Sequence, residues 1–171
     1  DSGDPGRILR IDEGSGAILQ TIPLTAAAGT TVNNFGGLQV LSADMLLGAT
    51  AVPAGSLLLF NGFAGPDRVV ALNPADGSVI VSLNLANPDL SAGVYDAVAG
   101  RLFGVTYFTG QLVEFDASTG AEVARFALPS GGGISGLAID PDTGNFWLGS
   151  GGGQWNLVEV SRTGAEVRRI D

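Results

Sequence analysis

The chain has no cysteine and no histidine, and its eight basic residues are all arginine. Without cysteine there is no disulfide and no thiolate to act as nucleophile or ligand. Without histidine the commonest general base and metal ligand is missing, and no Ser-His-Asp triad can form. Without lysine the amine route to covalent catalysis is closed as well. Charge is scarce too: 15% of residues are charged, and 17 acids against 8 bases give a net charge of −9. Phosphate recognition needs a basic footprint, so nucleic acid is excluded as a partner. No apolar run approaches the roughly 18 residues that a membrane helix needs, so no membrane span is read.

What the chain does have is glycine, 27 residues of 171, in a background that is 45% hydrophobic. That composition suits one globular domain with a sizeable core and many tight turns. The stretch Gln111 to Leu128, QLVEFDASTGAEVARFAL, shows how the turns are used. Apolar and polar residues alternate with period two on both sides of Asp116-Ala-Ser-Thr-Gly120, which predicts a β-hairpin. Asp116 can bond its own turn, and Gly120 can take a positive φ.

The same unit recurs. Its copies are Arg7–Asp12 with Ala17–Leu24, the stretch from Arg68 through Asn73 and Gly77, the 111–128 hairpin, and the stretch from Asn156 through Gly164. The turn glycines Gly16, Gly77, Gly120 and Gly164 stand 61, 43 and 44 apart by subtraction. A second turn interleaves with the first: Asp96 to Gly100 and Asp140 to Gly144 each precede an apolar strand, and Gly55 has the same shape with Ala51 in the aspartate's place. Each repeat therefore predicts four short strands, and four-stranded units at this period make propeller blades. The predicted fold is all-β and β-propeller-like, with about three and a half to four four-stranded blades in a single domain over 1–171. The outer hairpin of an incomplete blade takes 7–24, an irregular insert 25–45, and repeats fill about 46–88, 89–130 and 131–171. Leu38–Leu41 could add one strand within the insert, and the insert could close the gap left by the incomplete blade.

The pattern GLAIDPDTGNFWLGS followed by LVEVSRTGAEV resembles the blades of NHL, YVTN and SMP-30-like β-propellers, from about Gly48 to Ile170. The resemblance implies architecture more than activity, because such propellers host hydrolases, oxidoreductases and binding modules alike. SMP-30-like enzymes would imply a metal-dependent lactonase or esterase, with calcium or zinc held by carboxylates and asparagine at the central channel. No such set falls on matching positions here.

Several local motifs invite a chemical reading. Gly131 to Gly136 fits G-x-G-x-x-G, but a strand and turn follow rather than the helix that pyrophosphate binding requires, so the segment reads as an inter-blade loop. Asp140-Pro-Asp142-Thr-Gly144 resembles the start of a calcium loop, yet Gly151 stands where its bidentate glutamate would fall, so the aspartates read as turn-forming. The carboxylates Asp12, Glu13, Glu114, Asp116 and Glu159 sit in outer hairpins and read as solvated faces. Trp147, Phe103, Tyr107 and Phe146 read mainly as core between blades.

No catalytic, cofactor-binding or metal-ligating residue is assigned, no cofactor is implied, and the reading leans against an enzyme. Possible exposed ligand contacts are Asp67, Arg68 and Trp155. The expected function is a non-enzymatic extracellular binding or structural module, with a protein partner or self-association through its incomplete terminal blades. The expected assembly edge is Ile8, Leu9, Ile11, Val167 and Ile170. The lactonase or esterase is the alternative. The chain opens on Asp1 rather than methionine, as a processed or excised segment would; a removed secretion signal is one explanation and suits an extracellular or cell-surface location.

Overall fold

The computed structural model describes residues 6–24, 35–62, 67–86, 89–129, 131–150 and 157–170. Among these residues there are sixteen strands and no helix. The first two, β1 (Arg7–Ile11) and β2 (Ile18–Pro23), form an isolated hairpin. The next six are β3 (Phe35–Val40), β4 (Met45–Leu47), β5 (Thr50–Val52), β6 (Leu57–Asn61), β7 (Arg68–Leu72) and β8 (Val79–Asn84). Strands β3, β6, β7 and β8 pair in that order as one antiparallel sheet, and β4 pairs only with β5. The second sheet is β9 (Leu90–Asp96), β10 (Arg101–Thr106), β11 (Gln111–Asp116) and β12 (Glu122–Ala127). The third is β13 (Ile134–Ile139), β14 (Phe146–Ser150), β15 (Leu157–Val160) and β16 (Glu166–Ile170).

Among the described residues three complete four-stranded sheets and one two-stranded hairpin thus follow one another, a β-propeller-like arrangement of about three and a half blades. Strand β9 lies against both β3 and β13, and β13 also touches β3, so the innermost strands converge on one axis. The sheets stack face to face through three apolar layers. Ile8 and Ile22 of the hairpin meet Leu57, Leu59, Val70 and Leu72 of the first sheet. The opposite face of that sheet, with Leu58, Phe60, Val69 and Ala71, meets Tyr95, Leu102, Val113 and Phe115 of the second. Phe103, Val105 and Leu112 then meet Phe146, Leu148, Val158 and Val160 of the third. Middle strands covered on both faces read as continuous apolar runs, LLLF in β6 and VVAL in β7, while the outer strands β12 and β16 alternate or lie exposed.

The four outer-hairpin turns form as their sequence requires. Gly16, Gly77, Gly120 and Gly164 all have φ between 70° and 81°, a region that side chains disfavour. The amides of Gly16, Gly77 and Gly120 each donate to the carbonyl four residues earlier, and that of Gly164 to Ser161, one residue closer. At the axis, glycine serves a different purpose. A Cβ on Gly37 would lie 2.7 Å from the Gly93 carbonyl oxygen and 2.9 Å from its nitrogen, so β3 and β9 approach backbone to backbone.

The first complete sheet departs from the sequence expectation in where its innermost strand lies. That strand is β3, drawn from the segment 25–45 read as an insert, whereas the start of the repeat read from about 46, expected to supply it, folds into the separate β4–β5 hairpin. Hydrogen bonding explains the difference. Gly100 N donates to Asp96 O at 2.8 Å and Gly144 N to Asp140 O at 2.9 Å; the matching bond runs from Gly55 N to Leu41 O at 2.8 Å. Leu41, not Ala51, is therefore the counterpart of Asp96 and Asp140. Fourteen residues separate Leu41 from Gly55, against four between Asp96 and Gly100, and β4–β5 occupies the difference. The insertion is held by burial of Met45, Leu47 and Val52 against the layer between the first two sheets. Residues 25–34 of the segment lie outside the described residues.

Candidate functional site

The aspartates of the inner turns are committed to structure. Asp96 is buried and accepts hydrogen bonds from Val98 N at 2.8 Å and Ala99 N at 3.1 Å. It also pairs with Arg162, 66 residues away in the outer turn of the next sheet. The Arg162 guanidinium lies 5.5 Å from the centres of both the Phe103 and Phe146 rings, so one side chain joins two blades by charge and by cation–π contact. Burial pushes the Asp96 carboxyl up, but Arg162 and the two amides outweigh it and hold the group below its ordinary range. Asp140 is held low by the Trp147 indole N–H, which donates to it at 3.1 Å, and by the amides of Thr143 and Asp142. Among the described residues no group of three or more acidic, histidine or cysteine side chains gathers as a metal cluster.

Asp67, expected to be exposed, is buried, and its Oδ2 accepts the Leu90 amide at 2.9 Å, tying the first sheet to the strand that opens the second. Arg68 begins β7 and is half-buried. Trp155 lies outside the described residues. Gly131–Gly133 leads straight into β13, and Gly136 lies within that strand.

The axis holds a channel of about 370 Å³ lined by small residues of the three innermost strands, among them Gly37, Ala92, Gly93, Gly136 and Ala138. Gln39, one of its polar side chains, bonds to the frame. Gln39 reads the backbone of β9 at both ends, donating to Tyr95 O at 3.0 Å and accepting from Tyr95 N at 2.7 Å. Beside the channel, the Ser91 hydroxyl ties β9 to β13 by donating to Ile134 O at 2.5 Å. Among the described residues no carboxylate lines the channel, so nothing there supports the lactonase or esterase alternative.

The open surfaces are at the two ends of the stack. On the third sheet, the face turned away from the core carries the cross-strand row Ala138, Trp147, Glu159 and Arg168. Glu159 is buried beneath it, accepting from Asn145 Nδ2 at 2.8 Å and pairing with Arg168 Nε at 2.5 Å. Arg168 in turn covers the Trp147 ring at 4.6 Å. The Asn145 bond is the largest influence on Glu159 and, with Arg168, holds its carboxyl below the ordinary range. None of the three core layers reaches this face, and Leu157 and Ile170 stand exposed beside it, as does Val167 on β16. At the other end, Leu9 and Ile11 are exposed, whereas Ile8 alternates inward and packs on the first sheet.

Between that hairpin and the first sheet runs a groove of about 450 Å³, lined by Ile8, Leu9, Arg10, Leu38, Val40 and neighbours. Sequence reasoning missed Leu38, Val40 and Arg10. Their signal was the alignment of β3 with β9 and β13, which the β4–β5 insertion conceals.

This geometry defines a β-propeller-type repeat domain. A sequence family described as outer membrane protein assembly factor BamB matches residues 65–142, less than half of the chain. It is a different propeller family from the NHL, YVTN and SMP-30-like ones that the blades resemble, so the shared property is the propeller repeat itself. No curated protein matches the chain. Among solved structures, a protein of unknown function from Bacteroides caccae aligns with a TM-score of 0.59 at 14% identity, over 96% of this chain and 69% of that one. At that identity the likeness concerns the fold.

Proposed function

We propose that the chain is a non-enzymatic binding or structural module at the cell surface or outside the cell, which associates through the open ends of its blade stack. The observation that supports this most directly is the asymmetry of the stack. Every sheet within it buries an apolar face against the next, while the outer faces of the first hairpin and the third sheet, with Leu9, Ile11, Leu157 and Ile170, remain uncovered. Exposed apolar sheet surface loses about 25 cal/mol per Å² relative to burial, and free strand edges invite pairing with another chain. The two faces differ, so a contact between them is heterologous and builds rings or filaments rather than closed twofold dimers. The match to a family described as an assembly factor for outer membrane proteins supports both the binding role and the location.

Light scattering of the 171-residue chain tests this. The expected result is a molar mass that rises with concentration in the micromolar range and falls to that of a monomer in Ile11→Asp and in Val167→Asp, with Asp76→Ala, in the β7–β8 turn, unchanged. A folded chain that stays monomeric throughout contradicts the assembly reading.

A further inference from the structure

We infer that a second copy of this chain seats its first hairpin on the open face of the third sheet, with Glu13 of the hairpin's turn paired to Arg168 on that face. This rests on the assembly reading above and names the contact that carries it.

The junctions inside the stack show which residue of a unit reaches back to its neighbour. In each outer turn the first residue accepts the amide of the turn glycine: Asp12 from Gly16, Asn73 from Gly77, Asp116 from Gly120 and Ser161 from Gly164. In all three complete sheets the residue after it meets the preceding unit. Pro74 O accepts Gln20 Nε2 of the first hairpin at 3.1 Å. Ala117 is buried in the layer between the first and second sheets, and its carbonyl accepts the Gly48 amide of the β4–β5 hairpin at 2.8 Å. Arg162 pairs with Asp96 of the second sheet and lies 5.5 Å from the centre of the Phe103 ring. In the first hairpin this place belongs to Glu13, which is exposed and makes no hydrogen bond or ion pair among the described residues.

The third sheet carries the matching cation. Trp147 stands three residues after Gly144 as Phe103 stands three after Gly100, and Asp140 corresponds to Asp96, so these are the places that an incoming turn reaches. In the second sheet both are met by Arg162 of the next sheet. In the third sheet both are met from within: the Trp147 indole donates to Asp140 at 3.1 Å, and the Arg168 guanidinium covers the Trp147 ring at 4.6 Å. A second arginine is repelled there, and a carboxylate is attracted. Buried Glu159 holds Arg168 by its Nε, while the two Nη groups make no hydrogen bond among the described residues and the side chain is 58% exposed. A guanidinium presents five N–H donors in a fixed fork, so it can serve Glu159 through Nε and a second carboxylate through its Nη groups. The order inside the stack, acid on the earlier unit and arginine on the later turn, is thus reversed between copies. Leu157 and Ile170 lie two residues from Glu159 and Arg168 on the same strands and share their face, and they meet the exposed Leu9 and Ile11 of the incoming hairpin. The two faces differ, so the contact repeats head to tail.

The test is light scattering of the full 171-residue chain over a range of concentrations. Glu13→Gln should raise the concentration needed for assembly about tenfold, as loss of one charge-assisted pair does. The sign is informative, because removing one negative charge from a chain of net charge −9 lessens general repulsion and by itself favours association. Arg168→Gln should weaken assembly to a similar degree, and the double variant should be no weaker than either single one, as expected of two residues that act on each other. At about 1 M ionic strength, where the Debye length is about 3 Å, the natural chain should lose its advantage over Glu13→Gln. Glu13 is exposed, so Glu13→Gln keeps the natural melting curve. Should Arg168→Gln lower that curve by leaving Glu159 unpaired, Glu13→Gln and the salt series decide alone. Assembly of Glu13→Gln at the natural concentration, effects of the two substitutions that add, or an advantage that salt leaves intact overturns the inference while the assembly reading stands. A natural chain that stays monomeric overturns both.

Discussion

At the scale of single residues, the fold relies on a few side chains that reach between repeats. The Asp96–Arg162 pair is the clearest, since it spans 66 residues and brings a buried carboxylate to a half-exposed guanidinium. Asp96→Ala removes a buried charge along with the cap on two turn amides, and should cost roughly 1–3 kcal/mol in denaturant unfolding. Arg162→Ala should also destabilise, through the uncompensated Asp96 and the lost contact with Phe103 and Phe146. The carboxyls of Asp96, Asp140 and Glu159 are all held below their ordinary values in the folded chain. A depressed folded-state pKa means stability that is present above the unfolded value, about 4 for these groups, and lost as pH falls through the folded value. Melting temperature should therefore hold from neutral pH to about 5 and fall below about 4, with a shallower fall in Asp96→Asn than in the natural chain. A second residue-scale expectation concerns Gly37, whose added Cβ would strike backbone rather than a movable side chain. Gly37→Ala should force β3 from β9 and cost at least about 2 kcal/mol, more than the same change in an open turn such as Gly55.

At the scale of elements, the outer hairpins were legible in the sequence because their signal is local. Asp116, Ser118, Thr119 and Gly120 close a turn within a few residues, and the flanking alternation is set by one hairpin's own faces. Strands β1, β2, β7, β8, β11, β12, β15 and β16 accordingly fall where the repeat predicts. The innermost strands were harder to place because their identity depends on what they pack against. Strand β3, FGGLQV, has two glycines and no aspartate turn after it, and only the Gly55 N to Leu41 O bond shows that it is the equivalent of β9 and β13. The spacing of 61 between Gly16 and Gly77 carried the insertion but did not say on which side of β3 it lay. The role of Asp67 was illegible for the same reason: it is defined by a backbone amide 23 residues away. The inserted β4–β5 hairpin is topologically dispensable yet contributes core. Leu47 is fully buried, and Leu47→Ala should lower stability by about 2–4 kcal/mol, read from the shift in denaturant midpoint at constant slope.

At the scale of the whole molecule, three apolar layers hold four consecutive units in line, and the two ends of the line are unlike. One end is a hairpin with exposed Leu9 and Ile11 and a groove between it and the first sheet. The other is a complete sheet whose open face buries Glu159 under Arg168 and Trp147 and exposes Leu157 and Ile170. The channel between them is lined by glycine, alanine and aliphatic side chains together with Gln39 and Ser135. Hydrogen–deuterium exchange on the chain at low and at high concentration tests that account most directly, since it reports where association occurs as well as whether it does. The account predicts that amides of β1 and of β15 and β16 gain protection at high concentration while those of β7, β10 and β11, already enclosed by neighbouring sheets, do not change. Protection gained instead around the inner strands β3, β9 and β13, or no difference between the two concentrations, would contradict it.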